Sequence, residues 1–349
     1  MIRKLSLTPA IVRLVGEIDE FKGGWQAVNR IAPERLATLR KVATIESVAS
    51  STRIEGVTLT NEEVQDLLSG VEVRSFRSRD EQEVLGYADA MELVFSSWRE
   101  IGLTENHVKQ LHGVLLKHSD RDERHRGEYK KLPNRVEKFD AHGRSLGVVF
   151  QTAEPADTPR LMKALVDATR HHLEHHEHHP LLVIAVFTVR LLAIHPFQDG
   201  NGRLSRILTT LLLLRAGYAY VPFSSLERVI EENKQGYYKA LRSAQSTLDK
   251  GEEHLGDWVL YFLRSLTLQK DWLRSRLDRE RLLETLPELS ERILALARER
   301  GRVTMADITK VIGANRNTAK SHLRRLVERG LLTRRGERRG AFYEPSSAS

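Results

Sequence analysis

The stretch His195-Pro196-Phe197-Gln198-Asp199-Gly200-Asn201-Gly202-Arg203-Leu204-Ser205-Arg206 gathers a base, an acid, an amide, two glycines and two arginines. An Asp-Gly-Asn-Gly run is a turn, because glycine accepts the backbone angles that point N–H groups inward. The apolar run Ile207 to Leu214 follows at once and reads as a helix. A helix that starts behind such a turn offers free N–H groups and the positive end of its dipole, a cradle for phosphate. Arg203 and Arg206 lie three apart, share a helix face and can both reach phosphates. Asp199 offers oxygen to a hard cation such as Mg²⁺. His195 can take a proton near neutral pH. These parts fit transfer of a phosphorus group from a nucleotide. The plain alternative is a helix start behind a chance polar loop. A twelve-residue pattern is far more specific than a lone glycine motif.

The same stretch resembles the signature of the Fic family, His-x-Phe-x-(Asp/Glu)-Gly-Asn-(Gly/Lys)-Arg-x-x-Arg, at every defined position. Most members move AMP from ATP onto a protein hydroxyl. The resemblance implies that His195 deprotonates the acceptor Ser, Thr or Tyr and that Asp199 holds Mg²⁺ across the α- and β-phosphates. It implies that Asn201 and the amides around Gly200 and Gly202 cradle the phosphates, with Arg203 and Arg206 toward the β and γ ends. Phe197 would plug the loop into the core.

Upstream, Pro33 suits a first helical position, and Leu36, Leu39, Val42, Ile45 and Val48 mark an apolar stripe. Gly56 suits the stop of that helix. Ser51 and Glu55, four apart near its end, lie on one face. Ser51-Thr52-Arg53-Ile54-Glu55-Gly56 resembles the family's inhibitory motif, (Ser/Thr)-x-x-x-Glu-(Gly/Asn). The resemblance implies that Glu55 pairs with Arg206 and fills the γ-phosphate space, so that ATP binds out of line. It places the chain in the class whose inhibitory helix precedes the catalytic core. An ordinary surface glutamate at a helix end is the alternative. A second helix start follows at Thr60-Asn61-Glu62-Glu63, which has capping-box spacing.

The bulk numbers set the frame for these parts. With 349 residues the chain is long enough for two or three domains. Hydrophobic and charged shares of 40% and 29% are those of an ordinary globular protein. The sequence has no cysteine, which excludes disulfides, thiolate metal sites and cysteine nucleophiles and fits a reducing cytoplasm. Arg13 and Glu17 interrupt what would be the core of a signal peptide. Leu181 to Ile194 is apolar but short and contains Arg190, so it reads as a buried helix and no membrane contact is expected. The net charge of +8 favours acidic partners.

Along the chain, Gly23-Gly24 breaks the first helix from the next, and Ser69 to Asp80 is a loop before a helix over Gln82 to Glu100. From Thr104, Val108, Leu111, His112 and Leu115 share one face. Arg126-Gly127-Glu128-Tyr129-Lys130 resembles the family's Gly-x-Tyr-Arg stretch, with lysine for arginine. Lys138 to Ala153 is a hairpin candidate with its turn at Asp140 to Gly143. The resemblance makes it the flap that pins the target by strand addition. The histidine run from His171 to His179 has metal-like i, i+4 pairs, or is a solvated helix end where protonated histidine is favoured. The family often has a histidine where this chain has Thr188, a departure that concerns packing. Asn233 to Leu241 resembles the family's Tyr-Tyr-x-Ala-Leu helix, which makes Tyr238 an adenine candidate and Asn233 a further nucleotide contact. An aromatic core pair is the alternative for the tyrosines.

Beyond an arginine-rich bridge and Pro287, helices over Ser290–Arg300, Thr304–Val311 and Arg316–Arg329 precede two short strands between Leu331 and Tyr343. That order reads as a winged helix-turn-helix. Arg316, Asn317, Lys320 and Arg324 of its third helix, with Arg334, Arg335, Arg338 and Arg339 of the wing, would meet DNA phosphates. A protein-contact module is the alternative.

The expected fold is mainly α: a Fic-type helical core with a small β-hairpin flap and a C-terminal winged helix domain. The expected divisions are a helical region at 1–100 carrying the inhibitory helix, the core at 101–265, a helical linker at 266–287 and the winged helix at 288–345. The expected function is an autoinhibited protein adenylyltransferase using ATP and Mg²⁺ on a hydroxyl-bearing target protein and on itself. Duplex DNA and a second copy of the chain are the further partners this reading admits. The competing functions are a DNA-binding transcriptional regulator that uses the core as a nucleotide sensor, and a transferase of another NMP or of a phosphoryl group.

Overall fold

The computed structural model describes residues 5–25, 33–70, 78–139, 145–248, 254–284, 286–336 and 340–346. The chain is mainly helical and divides into two compact units, Met1–Leu273 and Arg274–Ser349. Unit 1 holds α1 (Pro9–Trp25), α2 (Pro33–Ile54), α3 (Asn61–Leu68), α4 (Arg79–Ser97) and α5 (Glu105–Leu115). Strands β1 (Arg135–Phe139) and β2 (Ser145–Gln151) come next, then α6 (Thr158–Glu174), α7 (Pro180–Ile194), α8 (Asn201–Arg215), α9 (Leu226–Glu232) and α10 (Lys234–Gln245). The long helix α11 (Gly256–Glu284) begins in unit 1 and crosses its boundary. The arginine-rich bridge of the sequence is thus the later part of one helix that starts at Gly256.

α7 is apolar on every face and buried from Leu181 to Val189. A helix of that kind belongs at a centre. α6 and α8 pack on it, and α2, α4 and α5 all touch α8. Thr188 is buried there, bonded to Ile184 O at 2.9 Å and to the Thr209 hydroxyl at 3.0 Å, so it works in packing. No helix among the described residues is long and apolar enough to cross a membrane.

The apolar stripe of α2 departs from expectation. Val42 is exposed, while Ser47, Ser50, Ser51 and Thr52 are buried with Val48, Ala49 and Ile54. Small residues let the end of α2 lie close against α8 and α9, a demand that hydrophobic periodicity does not register. Thr52 satisfies its hydroxyl by donating to Val48 O at 2.9 Å. Thr60 and Glu63 form the capping box that the sequence spacing predicts, and Ser78 with Glu81 forms another at the head of α4. That second box starts α4 three residues before the expected Gln82, and α1 runs through Gly23-Gly24 to Trp25.

β1 and β2 pair antiparallel as the expected hairpin, from Arg135 opposite Gln151 to Phe139 opposite Ser145. Its turn, 140–144, lies outside the described residues.

Unit 2 holds α12 (Glu288–Arg300), β3 (Val303–Thr304), α13 (Met305–Asp307, continued by a π-helical turn Ile308–Ile312), α14 (Arg316–Glu328), β4 (Leu332–Arg335) and β5 (Phe342–Pro345). The sheet order is β3-β5-β4, all antiparallel. Ile293, Leu294, Val303, Ile308, Leu323 and Leu326 form its core. The second helix therefore lies within one residue of the expected bounds but finishes in a wider π-helical turn, and β3 is an addition to the two expected strands.

Candidate active site

α7 stops at Ile194, and His195 takes a left-handed backbone with φ 52°. That turn starts the loop that ends at the head of α8. Phe197 is fully buried and stacks on His112 with ring centres 3.8 Å apart. The Asn201 amide closes the loop on itself: the Phe197 N–H donates to Oδ1 at 2.9 Å and Nδ2 donates to Phe197 O at 2.7 Å. Its side chain shapes the loop and has both ends engaged. Asn134 Nδ2 donates to the same carbonyl at 2.8 Å and to His195 O at 3.3 Å. Lys130 Nζ donates to Ile194 O and to Thr152 Oγ1, each at 3.0 Å, and to Asn134 Oδ1 at 2.8 Å. Burial pushes this lysine down to about 8.

His112 bridges two further segments. The Gly127 N–H donates to its Nδ1 at 2.8 Å, so Nε2 carries the proton and donates to Asp199 O at 3.0 Å. Burial pushes His112 to about 4. Burial and the nearby Lys130 charge also bring His195 to about 4. His195 is therefore a neutral imidazole at pH 7, the form that accepts a proton.

Asp199 stands at the head of α8. Burial works to raise its carboxyl, but Arg203, the Gly200 N–H and Arg79 outweigh it and hold it below the usual carboxylate range. Gly200 precedes α8 at φ 77°, a region that suits glycine, and brings no side chain to cap the first-turn N–H groups. Arg203 is buried, with Nη1 at 2.8 Å from Glu83 Oε2 and Nη2 at 3.4 Å from Asp199 Oδ1. Arg79 reaches the other oxygens of both carboxylates, Glu83 Oε1 at 2.7 Å and Asp199 Oδ2 at 3.0 Å. Two arginines and two carboxylates thus close a ring. Asp199, Arg203 and His195 line a cavity of about 310 Å³ together with Glu55, Arg79 and Gly202.

Glu55 sits just past the end of α2 and enters this cavity. Its Oε1 lies 2.8 Å from Arg206 Nη2. Arg206 also donates to Ser51, from Nε to Oγ at 2.8 Å and from Nη2 to the carbonyl at 3.0 Å. Burial works to raise the Glu55 carboxyl, and Arg206 overrides it to bring the value below normal. The Glu55 carboxylate lies so close to Gly202 that a Cβ there would collide with Oε1. Arg53 anchors the same helix end by a two-bond pair with Glu231 at 2.6 and 2.9 Å.

The other expected contacts separate. Asn233 is exposed and accepts from Gly236 N as the cap of α10. Tyr238 is near enough to feel the Glu55 and Arg206 charges, and burial raises its hydroxyl. Its neighbour Tyr237 packs in an aromatic group with Trp258 and Tyr261. His171 and His172 both contact Glu177, and among the described residues no cluster of three or more His, Asp or Glu side chains is placed to hold a metal ion. In unit 2, Arg316, Lys320 and Arg324 are exposed on α14, with Arg324 paired to Glu328 at 2.7 Å. Arg338 and Arg339 lie outside the described residues. Sequence reading missed Arg79, Glu83 and Asn134 as parts of the site, and noted His112 only on a helix face and Lys130 only within a family-like stretch. Their only signal is polar character on otherwise packed segments.

The Fic/DOC family model matches residues 102–213. A second model, of a bacterial protein family of unknown function, DUF977, matches residues 279–347. The chain is 30% identical over 237 residues to the protein adenylyltransferase Fic of Drosophila grimshawi, covering 66% of this chain and 44% of that protein. The chain spans less than half the length of the curated relatives it matches. Among solved structures, a Fic domain containing signaling protein from Bacteroides thetaiotaomicron is similar at 26% identity and TM-score 0.58, over 74% of this chain and 98% of that one. A Fic family protein from Desulfovibrio desulfuricans shares the fold at TM-score 0.61 and 24% identity, over 99% of this chain and 98% of that one. The chain carries a Fic/DOC domain.

Proposed function

We propose that this Fic/DOC protein is an adenylyltransferase that holds itself off. It moves AMP from ATP to a Ser, Thr or Tyr hydroxyl of a target protein, and Glu55 blocks it by occupying Arg206. The Glu55–Arg206 pair at 2.8 Å, in the cavity lined by His195, Asp199 and Arg203, is the observation that carries this reading. The relatives named adenylyltransferase support it.

The residues present fit a nucleotide and a hard cation. Arg203 Nε and Arg206 Nη1 are buried without a hydrogen bond in the protein, which suits an anionic phosphate chain. Asp199 is an ionised carboxylate lining the cavity, the ligand type Mg²⁺ takes. Mg²⁺ held there would neutralise charge across the phosphates.

In transfer, neutral His195 takes the proton of the acceptor hydroxyl. The hydroxyl oxygen bonds the α-phosphorus, the bond from that phosphorus to the bridging oxygen breaks, and pyrophosphate leaves. Arg203, Arg206 and the first-turn amides of α8 face the charge that builds on the departing phosphates. The β1–β2 hairpin offers its edge to an extended target segment. With Glu55 in place, Arg206 is engaged and the γ-phosphate has no seat.

Intact-mass spectrometry of wild type and Glu55→Gly with ATP and Mg²⁺ tests this. Glu55→Gly should gain AMP masses that wild type shows weakly, and Arg206→Ala added to it should remove the gain. Equal self-modification in wild type and Glu55→Gly refutes the autoinhibition, and a gain of phosphate mass moves the chain to another transfer chemistry.

In this reading residues 1–100 carry the inhibitory helix, 101–265 the transfer core, 266–287 a bridge and 288–345 a winged helix. Exposed Arg316, Lys320, Arg324, Arg334 and Arg335 favour a nucleic-acid surface on that last part.

A further inference from the structure

The geometry points to Arg79 as a built-in rival of the divalent cation: it occupies Asp199 when no metal is bound and must be displaced for a cation to enter. The inference rests on the reading of Asp199 as metal ligand.

Asp199 has two carboxylate oxygens. Oδ1 is committed inside the loop, accepting from the Gly200 N–H at 2.6 Å and facing Arg203. Oδ2 is the oxygen left for a cation, and Arg79 Nη2 stands on it at 3.0 Å. A guanidinium on Oδ2 takes one of its lone pairs and its positive charge repels a cation approaching the other, so the two compete for that oxygen.

The two arginines of the ring differ in their freedom. Arg203 has 3% of its side chain exposed and is locked between Glu83 and Asp199. Arg79 has 51% exposed and stands on the first turn of α4, directly after the Ser78 cap. Arg79 also keeps a second partner, with Nε on Glu83 Oε1 at 2.7 Å. It can therefore leave Asp199 without leaving the protein and remain paired to Glu83. The ring is neutral as it stands, and an entering divalent cation replaces one of its positive members. Arg79 thereby keeps a carboxylate pair from facing itself in the metal-free protein and sets the cation concentration at which the site loads.

The test is a titration of the full chain with Mn²⁺ at saturating ADP, with free Mn²⁺ followed by electron paramagnetic resonance. Arg79→Gln should bind Mn²⁺ roughly threefold or more tightly than wild type, the range set by releasing one half-exposed ion pair. Arg79→Lys keeps the charge but cannot span both carboxylates, and should fall between the two. Asp199→Asn should lose most of the binding. Unchanged or weaker Mn²⁺ binding in both Arg79 variants, with Asp199→Asn still losing it, overturns the rivalry and leaves the metal ligand standing. Unchanged binding in Asp199→Asn overturns both.

Discussion

Arg206 donates to Ser51 twice, from Nε to the hydroxyl at 2.8 Å and from Nη2 to the carbonyl at 3.0 Å. The arginine that Glu55 neutralises is therefore also the C-terminal cap of the helix that delivers Glu55. The last carbonyls of a helix lack partners within it, so this bond secures the end of α2 on α8. Removing Glu55 leaves that anchor in place.

Ser51→Ala should accordingly give an intermediate. Arg206 Nε loses its acceptor inside the protein, which costs about 1–3 kcal/mol of folded stability. Self-modification should rise above wild type yet stay below Glu55→Gly, because the carboxylate still pairs with Arg206. Mass spectrometry and thermal melts read both effects. Self-modification equal to that of Glu55→Gly would mean that Ser51, not Glu55, carries the block.

His195→Ala, placed in the Glu55→Gly background, should lower transfer roughly a hundredfold or more while ATP affinity holds, since only proton removal is lost. Calorimetric ATP binding and target labelling separate the two. Near-parental labelling would remove His195 from the base role.

Acid should destabilise the fold through two imidazoles. His112 and His195 titrate near 4 in the folded protein, against 6.5 as the ordinary value. Between those values the unfolded chain binds protons that the folded one does not, so stability is present above pH 6.5 and is lost as pH falls toward 4. The loss by pH 5 is up to about 2 kcal/mol per histidine. Thermal midpoints at pH 7 and pH 5 should differ less in His195→Ala than in wild type. An equal drop in both would show that His195 contributes nothing to it.

Duplex DNA binding by the full chain should weaken steeply with salt, and Arg316→Ala or Lys320→Ala should each lower the slope of log K against log salt by about 1. Arg324 spends its charge on Glu328 and should change the slope less. Fluorescence anisotropy at about 50 mM salt decides the matter, because phosphate contacts are still strong there. No binding would make the module a protein-contact surface.

The grouping of His195 to Arg206 around one loop and helix head was legible because its members are contiguous, so spacing alone carries their geometry. Ser51 and Glu55 were legible as a pair for the same reason. The residues that hold the site were not. Arg79 meets Asp199 across 120 residues, His112 across 87, and Asn134 reaches His195 across 61. Nothing local records those contacts. The buried Ser47–Thr52 face was hidden too, because small polar residues read as surface in any hydrophobic pattern. Asn201 shows the limit from the other side: the family resemblance pointed to phosphate, while its amide is spent on the backbone of Phe197.

In the proposed reading, the position of Glu55 beyond the end of α2 bears on how fast the block lifts. The helix is pinned through Ser51 and Arg53, while the glutamate side chain keeps 31% of its surface exposed. Only its side-chain torsions need to change for Arg206 to come free. A change of side-chain torsions and the parting of one ion pair involve no backbone rearrangement, and turnover times are about a millisecond or longer. On the proposed reading, blocked and open molecules are then one fast-exchanging population. Progress curves of transfer should start without a lag, and any condition that weakens the plug should change the initial rate itself.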